Sequence, residues 1–111
     1  MSLQIFGTKK CKSTRKAEMF FKERNIDYHF VNIQEKPMSK GELESVMRFV
    51  PAEDLVDPES QEYKKQQLQY MKYSPLDKLL ESPLLLRTPV VRSKTFATAG
   101  YDPEGWKRFL A

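Results

Sequence analysis

The apolar positions in the first third of the chain predict a strand, a helix and a second strand. Leu3, Ile5 and Phe6 form a short apolar run that Gly7 closes, which is typical of a buried strand. Apolar residues then recur at the i, i+3, i+4 spacing of a helix packed on one face, at Ala17, Phe20 and Phe21. Asn25 is a typical helix stop. The next strand is predicted from Tyr28, Phe30, Val31 and Ile33. The connection is long enough for a parallel crossover.

The middle of the chain is predicted to be helical. Ser39 and Glu42 have the spacing of a capping box, which begins a helix that Pro51 ends. Residues 52–58 are predicted to form a turn. Residues 59–72 are polar, with few apolar anchors, and are predicted to form one exposed helix.

The last third is predicted to return to strands and to end in a helix. A Ser-Pro pair begins a short helix over residues 74–80. A strand begins at residues 90–91, residues 93–94 form a tight turn, and residues 95–97 return antiparallel as a hairpin. An Asp-Pro pair begins the final helix, whose apolar side is made of Trp106, Phe109 and Leu110.

The element order β-α-β, helices, β-β-α is that of thioredoxin with its middle helix replaced by a longer helical segment. The predicted fold class is therefore α/β, a thioredoxin/glutaredoxin-like three-layer sandwich with a mixed four-stranded sheet and a helical insertion. A single domain is predicted over residues 1–111. Its thioredoxin-like parts are expected at about 1–33 and 84–111, and its insertion at about 34–83.

Composition excludes several classes of function. The 19 basic and 15 acidic residues leave a net charge of +4, which gives little support to direct nucleic-acid binding. No apolar stretch approaches the roughly 20 residues that span a bilayer, and no signal peptide is recognisable, so the cytoplasm is the expected location. One cysteine and one histidine exclude an intramolecular disulfide and a Cys- or His-rich metal site. Neither a metal nor a bound cofactor is expected.

Cys11 is the strongest candidate for chemistry. It lies just before, or at, the start of the first predicted helix, where free N–H groups and the helix dipole favour a thiolate. Five basic residues within eight positions are expected to lower its pKa further: Lys9, Lys10, Lys12, Arg15 and Lys16. The alternative is a small residue packed in the turn, but buried apolar thiols rarely occur in so basic a segment. We interpret Cys11 as a reactive nucleophile.

The residues after Cys11 limit the redox cycle. Ser13 and Thr14 can donate hydrogen bonds to the sulfur or to an oxyanion, and they can also cap the helix. Thr14 stands where a Cys-x-x-Cys motif has its second cysteine. Any oxidised state of Cys11 must therefore be resolved by an external thiol, such as glutathione or a partner protein.

Two features before the third strand leave alternatives open. The Thr88-Pro89 bond can be cis in a tight turn, but an ordinary trans proline at a strand start is more common. The planar guanidinium of Arg87 can hold an anion at the Cys11 loop. A solvated loop arginine is the more common alternative.

Taken together, five segments resemble the arsenate reductase ArsC/Spx family. They are residues 7–17 (GTKKCKSTRKA), residues 25–28 (NIDY), Lys36-Pro37 followed by Ser39 and Glu42-Leu43, residues 82–91 (SPLLLRTPVV), and Gly100-Tyr101 with the ending 106–110 (WKRFL). The resemblance covers nearly the whole chain, and its last part is closer to the Spx branch. It implies a thioredoxin-like fold with a helical insertion, Cys11 as redox nucleophile and a cis bond before Pro89. It also implies that Arg87 lies near the sulfur and holds oxyanions.

The resemblance implies a thiol oxidoreductase whose substrate is a small oxyanion, arsenate by default, or a thiol compound. Glutathione would be the co-substrate and glutaredoxin a partner. The catalytic residues would be Cys11 and Arg87, and the residues binding substrate or thiol would be Lys10, Lys12, Ser13, Thr14, Arg15, Thr88 and Pro89. The alternative is an Spx-like transcriptional regulator that binds the C-terminal domain of the RNA polymerase α subunit.

The chain departs from the reductase pattern. The family's arsenate reductases place three arginines around the thiol, and only Arg87 has a match here. Residues 56–58 contain no arginine, and Tyr101 stands where the third is expected. Because charge-assisted hydrogen bonds hold the oxyanion, arsenate turnover is expected to be weak or absent.

The chain also departs from the Spx pattern. Spx regulators usually carry a Cys-x-x-Cys switch, which Thr14 makes impossible. Their polymerase contact uses an arginine and a nearby glycine in the insertion. Arg48 corresponds to the arginine, but Ala52 and Glu53 occupy the region of the glycine.

Overall fold

A computed structural model describes residues 3–110, and its four strands form one mixed sheet. The strands are β1 (Gln4–Gly7), β2 (His29–Asn32), β3 (Val90–Arg92) and β4 (Ala97–Ala99). Their order across the sheet is β2-β1-β3-β4. β1 runs parallel to β2, while β3 is antiparallel to β1 and β4. Ile5 pairs with Phe30 on one side and with Val91 on the other, which confirms that the first strand and residues 90–92 share a sheet.

Between residues 3 and 110 the chain also forms six α-helices. They are α1 (Lys12–Glu23), α2 (Lys40–Met47), α3 (Ala52–Leu55), α4 (Gln61–Lys65), α5 (Pro75–Glu81) and α6 (Pro103–Leu110). No helix of the described chain has the length and apolar character needed to span a bilayer.

Alternate residues of the central strands pack into two separate hydrophobic cores. Ile5 and Val91 pack with α1 and α6, around the fully buried Trp106. Their neighbours Phe6 and Val90 pack on the other face, against the helices between β2 and β3. Successive strand side chains point to opposite faces, so this alternation builds the predicted α/β three-layer sandwich.

Three local predictions were wrong. Residues 52–58 contain the short helix α3 rather than only a turn. Residues 59–72 do not form one helix, because Gln67 adopts a left-handed conformation (φ 54°) after α4. A 3-10 turn over Leu68–Tyr70 follows, with Leu68 buried. The hairpin strand begins at Ala97, since the Ser93 hydroxyl accepts the N–H groups of residues 95 and 96 and holds them in the turn.

Candidate functional site

Cys11 is the N-cap residue of α1. The chain leaves β1 at Gly7 and turns sharply, and the Cys11 N–H donates to the Thr8 carbonyl at 3.2 Å to close the turn. Cys11 has extended dihedrals (φ −79°, ψ 118°), and its sulfur makes no capping hydrogen bond of ordinary length and angle, although the N–H groups of Ser13 and Thr14 are close enough to lower its pKa. The thiol therefore lies at the positive end of a helix of 12 residues.

A second loop brings Thr88 to the sulfur. The Thr88 Oγ1 and Cys11 Sγ atoms are 3.1 Å apart. The Thr88-Pro89 bond is cis, as the family resemblance implies and contrary to the commoner trans form. Pro89 is buried next to β3. Residues 77 positions apart in the chain thus meet at one thiol.

Hydrogen bonding makes the thiol more acidic than an ordinary cysteine. Partial burial raises the pKa of Cys11, but hydrogen bonds from the hydroxyls of Thr14 and Thr88 lower it. Backbone N–H groups of Thr14 and Ser13 lower it further, and the net effect is a lowered pKa. The expected contribution of the basic residues around Cys11 is not among the causes. All five of those side chains are exposed, where water screens their charges.

The Thr14 hydroxyl is buried beside the sulfur and has no hydrogen-bond partner of ordinary geometry in the described chain. Thr14 is fully buried, and its Oγ1 makes no hydrogen bond of ordinary geometry among residues 3–110. It nevertheless lowers the pKa of Cys11, because it is close enough to donate to the sulfur once the thiol is ionised. Gly7 makes room for it, since a Cβ at Gly7 would lie 2.3 Å from Oγ1.

The sulfur borders an open cavity of about 430 Å³. Apolar side chains of Ile33, Leu84 and Leu86 form part of its wall. The cavity is otherwise lined by residues of the Cys11 turn, of the loop after β2, of the start of α4 and of the Thr88 loop. These are Thr8, Lys10, Cys11, Gln34, Glu59, Ser60, Gln61, Glu62 and Thr88. Among the described residues, no arginine lines it.

The expected convergence of Arg87 with Cys11 is not observed. The Arg87 Nε donates to the Asp54 carbonyl at 2.8 Å, and the guanidinium lines a different cavity, between α3, β4 and α6. The physical reason is the alternation of an extended segment. Leu86 and Thr88 line the cysteine cavity, so Arg87 between them points away. Its catalytic role stays a prediction.

The remaining predicted binding residues lie near the turn but do not all reach the cavity. Lys10 lines it, whereas Lys12 and Arg15 project from the exposed side of α1. Ser13 is half-buried and offers its N–H to the sulfur. In the described chain, no cluster of three His, Cys, Asp or Glu residues could hold a metal ion.

Sequence reasoning missed the wall formed by residues 59–62. The sequence pattern places Glu59 and Glu62 only in a predicted exposed helix. No local pattern reveals that the helical segment folds back against the Cys11 turn, because that approach depends on packing of the insertion as a whole. Leu84 and Leu86 precede Arg87-Thr88-Pro89 in the same signature segment, and this position is the sequence feature that could have placed them in the cavity wall.

Comparisons with a family model, with curated sequences and with solved structures all find proteins of the same group. A family model described as "ArsC family" matches residues 6–109. Global transcriptional regulator Spx 2 of Oceanobacillus iheyensis is 31% identical over 116 aligned positions, covering 99% of this chain and 84% of the relative. Two solved structures share the fold. A putative ArsC family related protein from Bacteroides fragilis has a TM-score of 0.88 and 22% identity, with 97% of each chain covered. An arsenate reductase from Vibrio cholerae has a TM-score of 0.82 and 21% identity, with 97% of each chain covered.

Proposed function

Because the chain belongs to the ArsC family, we propose that it is a thiol oxidoreductase in which Cys11 is the nucleophile and an external thiol is the resolving partner. The observation that carries the proposal is the environment of the sulfur. Cys11 caps α1, lies 3.1 Å from the Thr88 hydroxyl and has a lowered pKa at the edge of an open cavity. A thiolate in reach of substrate is what nucleophilic sulfur chemistry requires.

The proposed cycle has two exchange steps. The Cys11 thiolate attacks one sulfur of a disulfide, a new S–S bond forms to Cys11, and the other sulfur leaves as a thiolate that takes a proton from water. Cys11 is thereby oxidised and the leaving sulfur is reduced. A second thiolate, from glutathione or a glutaredoxin-like partner, then attacks the mixed disulfide and releases Cys11. The protein contains no second cysteine to do so.

Arsenate is a poor match for this site. Arsenate is a mixture of singly and doubly charged anions at neutral pH, and binding it requires donors that replace strong hydration. Arg87 is held by carbonyl groups elsewhere, and the cavity contains two carboxylates. We therefore expect weak or absent arsenate turnover in a glutathione–glutaredoxin-coupled assay, and robust turnover that Cys11→Ser abolishes would contradict this expectation.

The test of the main proposal is direct. The rate of Cys11 alkylation is measured against pH, and the protein is treated with oxidised glutathione and weighed by mass spectrometry. We expect an apparent pKa below the ordinary thiol value and an adduct of one glutathione, absent in Cys11→Ser. An ordinary or raised pKa together with no adduct would refute the proposal.

A second candidate is binding to RNA polymerase, as a transcriptional regulator of the Spx type. Its support is the relative named as a global transcriptional regulator and an exposed pair at the end of α2. The Arg48 guanidinium lies 5.8 Å from the ring centroid of Phe49, and both side chains face solvent. Such a pair suits a protein interface. A pull-down with the C-terminal domain of the polymerase α subunit tests it, with Arg48→Ala expected to weaken capture and Lys40→Ala as control.

A further inference from the structure

The walls of the Cys11 cavity carry two carboxylates and one cation among the described residues that line it. Glu59 and Glu62 flank the N-cap residue of α4, and Lys10 is the cation. The Glu62 Oε2 accepts from the Gln66 amide at 3.0 Å, and its other oxygen has no hydrogen bond within the described chain. Among residues 3–110, the Glu59 carboxylate has only a long, exposed ion pair with Lys64, at 3.9 Å. Both carboxylates therefore remain available to a charge that enters the cavity.

The size and chemistry of the cavity suit an organic group rather than an oxyanion. About 430 Å³ is far more space than a tetrahedral oxyanion fills, and it lies within the range of small-molecule sites. Ile33, Leu84 and Leu86 supply apolar surface beside the thiol. An alkyl disulfide can place its sulfur at Cys11 and its carbon chain on this surface.

A buried hydroxyl beside Cys11 also points to a charged sulfur in this place. The Thr14 Oγ1 is fully buried and has no regular hydrogen-bond partner in residues 3–110. Unsatisfied buried polar groups are rare, because each loses its hydration without compensation. An ionised sulfur at Cys11, or a sulfur bonded to it, supplies the missing acceptor.

Building on the proposed function, we infer that this site selects small organic disulfides by charge. It favours disulfides that carry an ammonium group near the sulfur over those that carry a carboxylate. In the exchange, the Cys11 thiolate forms a bond to one substrate sulfur while the substrate S–S bond breaks. The other half leaves as a thiolate and is protonated by water. Glu59 and Glu62 act as specificity residues, since they contact the substrate's charged end rather than the reacting sulfurs.

The experiment compares three alkyl disulfides that differ in charge. They are cystamine, bis(hydroxyethyl) disulfide and dithiodiglycolate, which are cationic, neutral and anionic. Second-order rates of Cys11 adduct formation are measured by mass spectrometry for the wild type, Glu59→Gln, Glu62→Gln and the double variant. Glu53→Gln is the matched control, because Glu53 is an exposed carboxylate of the same insertion and does not line the cavity. The readout is the rate ratio to the neutral disulfide, which removes any general effect on Cys11.

We expect each cavity substitution to lower the cation-to-neutral ratio by about twofold to fivefold and to raise the anion-to-neutral ratio similarly, the range typical of solvent-accessible ion pairs. Added salt should shrink the wild-type preference. Ratios that stay unchanged in the double variant would overturn the charge selection while leaving the proposed function intact. An equal change in Glu53→Gln would also overturn it, since the effect would not belong to the cavity. If the wild type reacts with none of the three disulfides, the proposed function fails and the selection fails with it.

Discussion

Replacing Thr88 by valine tests how the protein ionises Cys11. The Thr88 hydroxyl is 3.1 Å from the Cys11 sulfur, and it donates a hydrogen bond once the thiol is deprotonated. Valine keeps the branched shape of threonine and removes only the donor. The pKa of Cys11 is therefore expected to rise in Thr88→Val.

The size of the effect follows from the hydrogen bond and its exposure. A hydrogen bond to a charged group contributes on the order of 1.5–3 kcal/mol when it is sheltered. Cys11 is only partly buried, so we take about 1 kcal/mol, which corresponds to about fivefold less thiolate at a pH below the pKa. A more basic thiolate is also a better nucleophile, by about twofold for such a change. The observed rate should fall about twofold to threefold below the pKa and rise about twofold above it.

The assay is the pH–rate profile of Cys11 with bis(hydroxyethyl) disulfide, a neutral reagent that is insensitive to the charged walls. Thr8→Val is the matched control, because Thr8 lines the same cavity and its hydroxyl makes no hydrogen bond to the sulfur within the described residues. We expect the pH–rate profile of Thr88→Val to cross that of the wild type, and the profile of Thr8→Val to match the wild type. A Thr88→Val profile that superimposes on the wild type would refute the role of the hydroxyl. An equal change in both variants would point to distortion of the turn.

Three further predictions concern the Cys11 turn. Gly7→Ala should reduce the free energy of unfolding by about 2 kcal/mol, since a Cβ would lie 2.3 Å from Oγ1 and 2.6 Å from Cγ2 of buried Thr14. Urea unfolding should show most of the loss recovered by adding Thr14→Ala, and additive losses would contradict the clash. Thr14→Cys should form a disulfide with Cys11 on oxidation, because i, i+3 residues at a helix start are close enough. Mass spectrometry would then show no glutathione adduct, and a persisting adduct would be evidence against it. Finally, folding lowers the pKa of Cys11, so ionisation of the thiol stabilises the folded state. This stabilisation is complete above the ordinary pKa of 9.0 and is lost as the pH falls through the pKa of the folded protein. The unfolding free energy of the wild type relative to Cys11→Ser should therefore increase from pH 6 to pH 9, and a flat or falling difference would oppose it.

The elements that the sequence predicted well are those with a local physical cause. The capping box at Ser39 and Glu42 is present, with the Ser39 hydroxyl accepting from the Glu42 N–H at 3.2 Å. Asn25 has a left-handed φ of 56° directly after α1, as expected for a helix stop. Trp106 packs in the core, and its indole N–H donates to the Thr98 hydroxyl at 2.8 Å. In the first two cases a few neighbouring residues determine the backbone, while the burial of Trp106 follows from the apolar side of the final helix.

The elements that the sequence predicted poorly depend on distant contacts. Residues 59–72 are rich in good helix formers, and intrinsic propensity therefore favours one helix. The chain instead breaks at Gln67, and Leu68 is buried with the other side chains of the insertion. Burial of one leucine contributes more than several residues of helix propensity, so tertiary packing decides the outcome. The same packing brings Glu59 and Glu62 to the cavity, where no local pattern predicted them.

The sources of the thiol acidity are only in part those that the sequence suggested, since the predicted donors Ser13 and Thr14 lower the pKa of Cys11 and the predicted contribution of the basic side chains is absent. Five basic side chains around Cys11 are conspicuous in the sequence, but each is exposed, and water and salt screen exposed charges strongly. Hydroxyl and N–H donors from Ser13, Thr14 and Thr88 act at short range on a partly buried sulfur, where screening is weaker. Neutral donors in contact with the sulfur therefore lower the pKa of Cys11 more than the charged side chains in solvent do.

The position of Arg87 shows why neighbours in sequence need not share a site. Leu86 and Thr88 both line the cysteine cavity, while Arg87 between them donates to the Asp54 carbonyl at 2.8 Å on the other side. Bringing the guanidinium to Cys11 would require breaking that hydrogen bond and reversing the direction of one side chain in an extended segment. The aliphatic part of Arg87 also lies against Gly100, where an added Cβ would be 3.2 Å from its Cδ. The arrangement directs the planar oxyanion donor of the loop into the cavity between α3, β4 and α6, and this is the structural reason for the weak arsenate turnover expected under the proposed function.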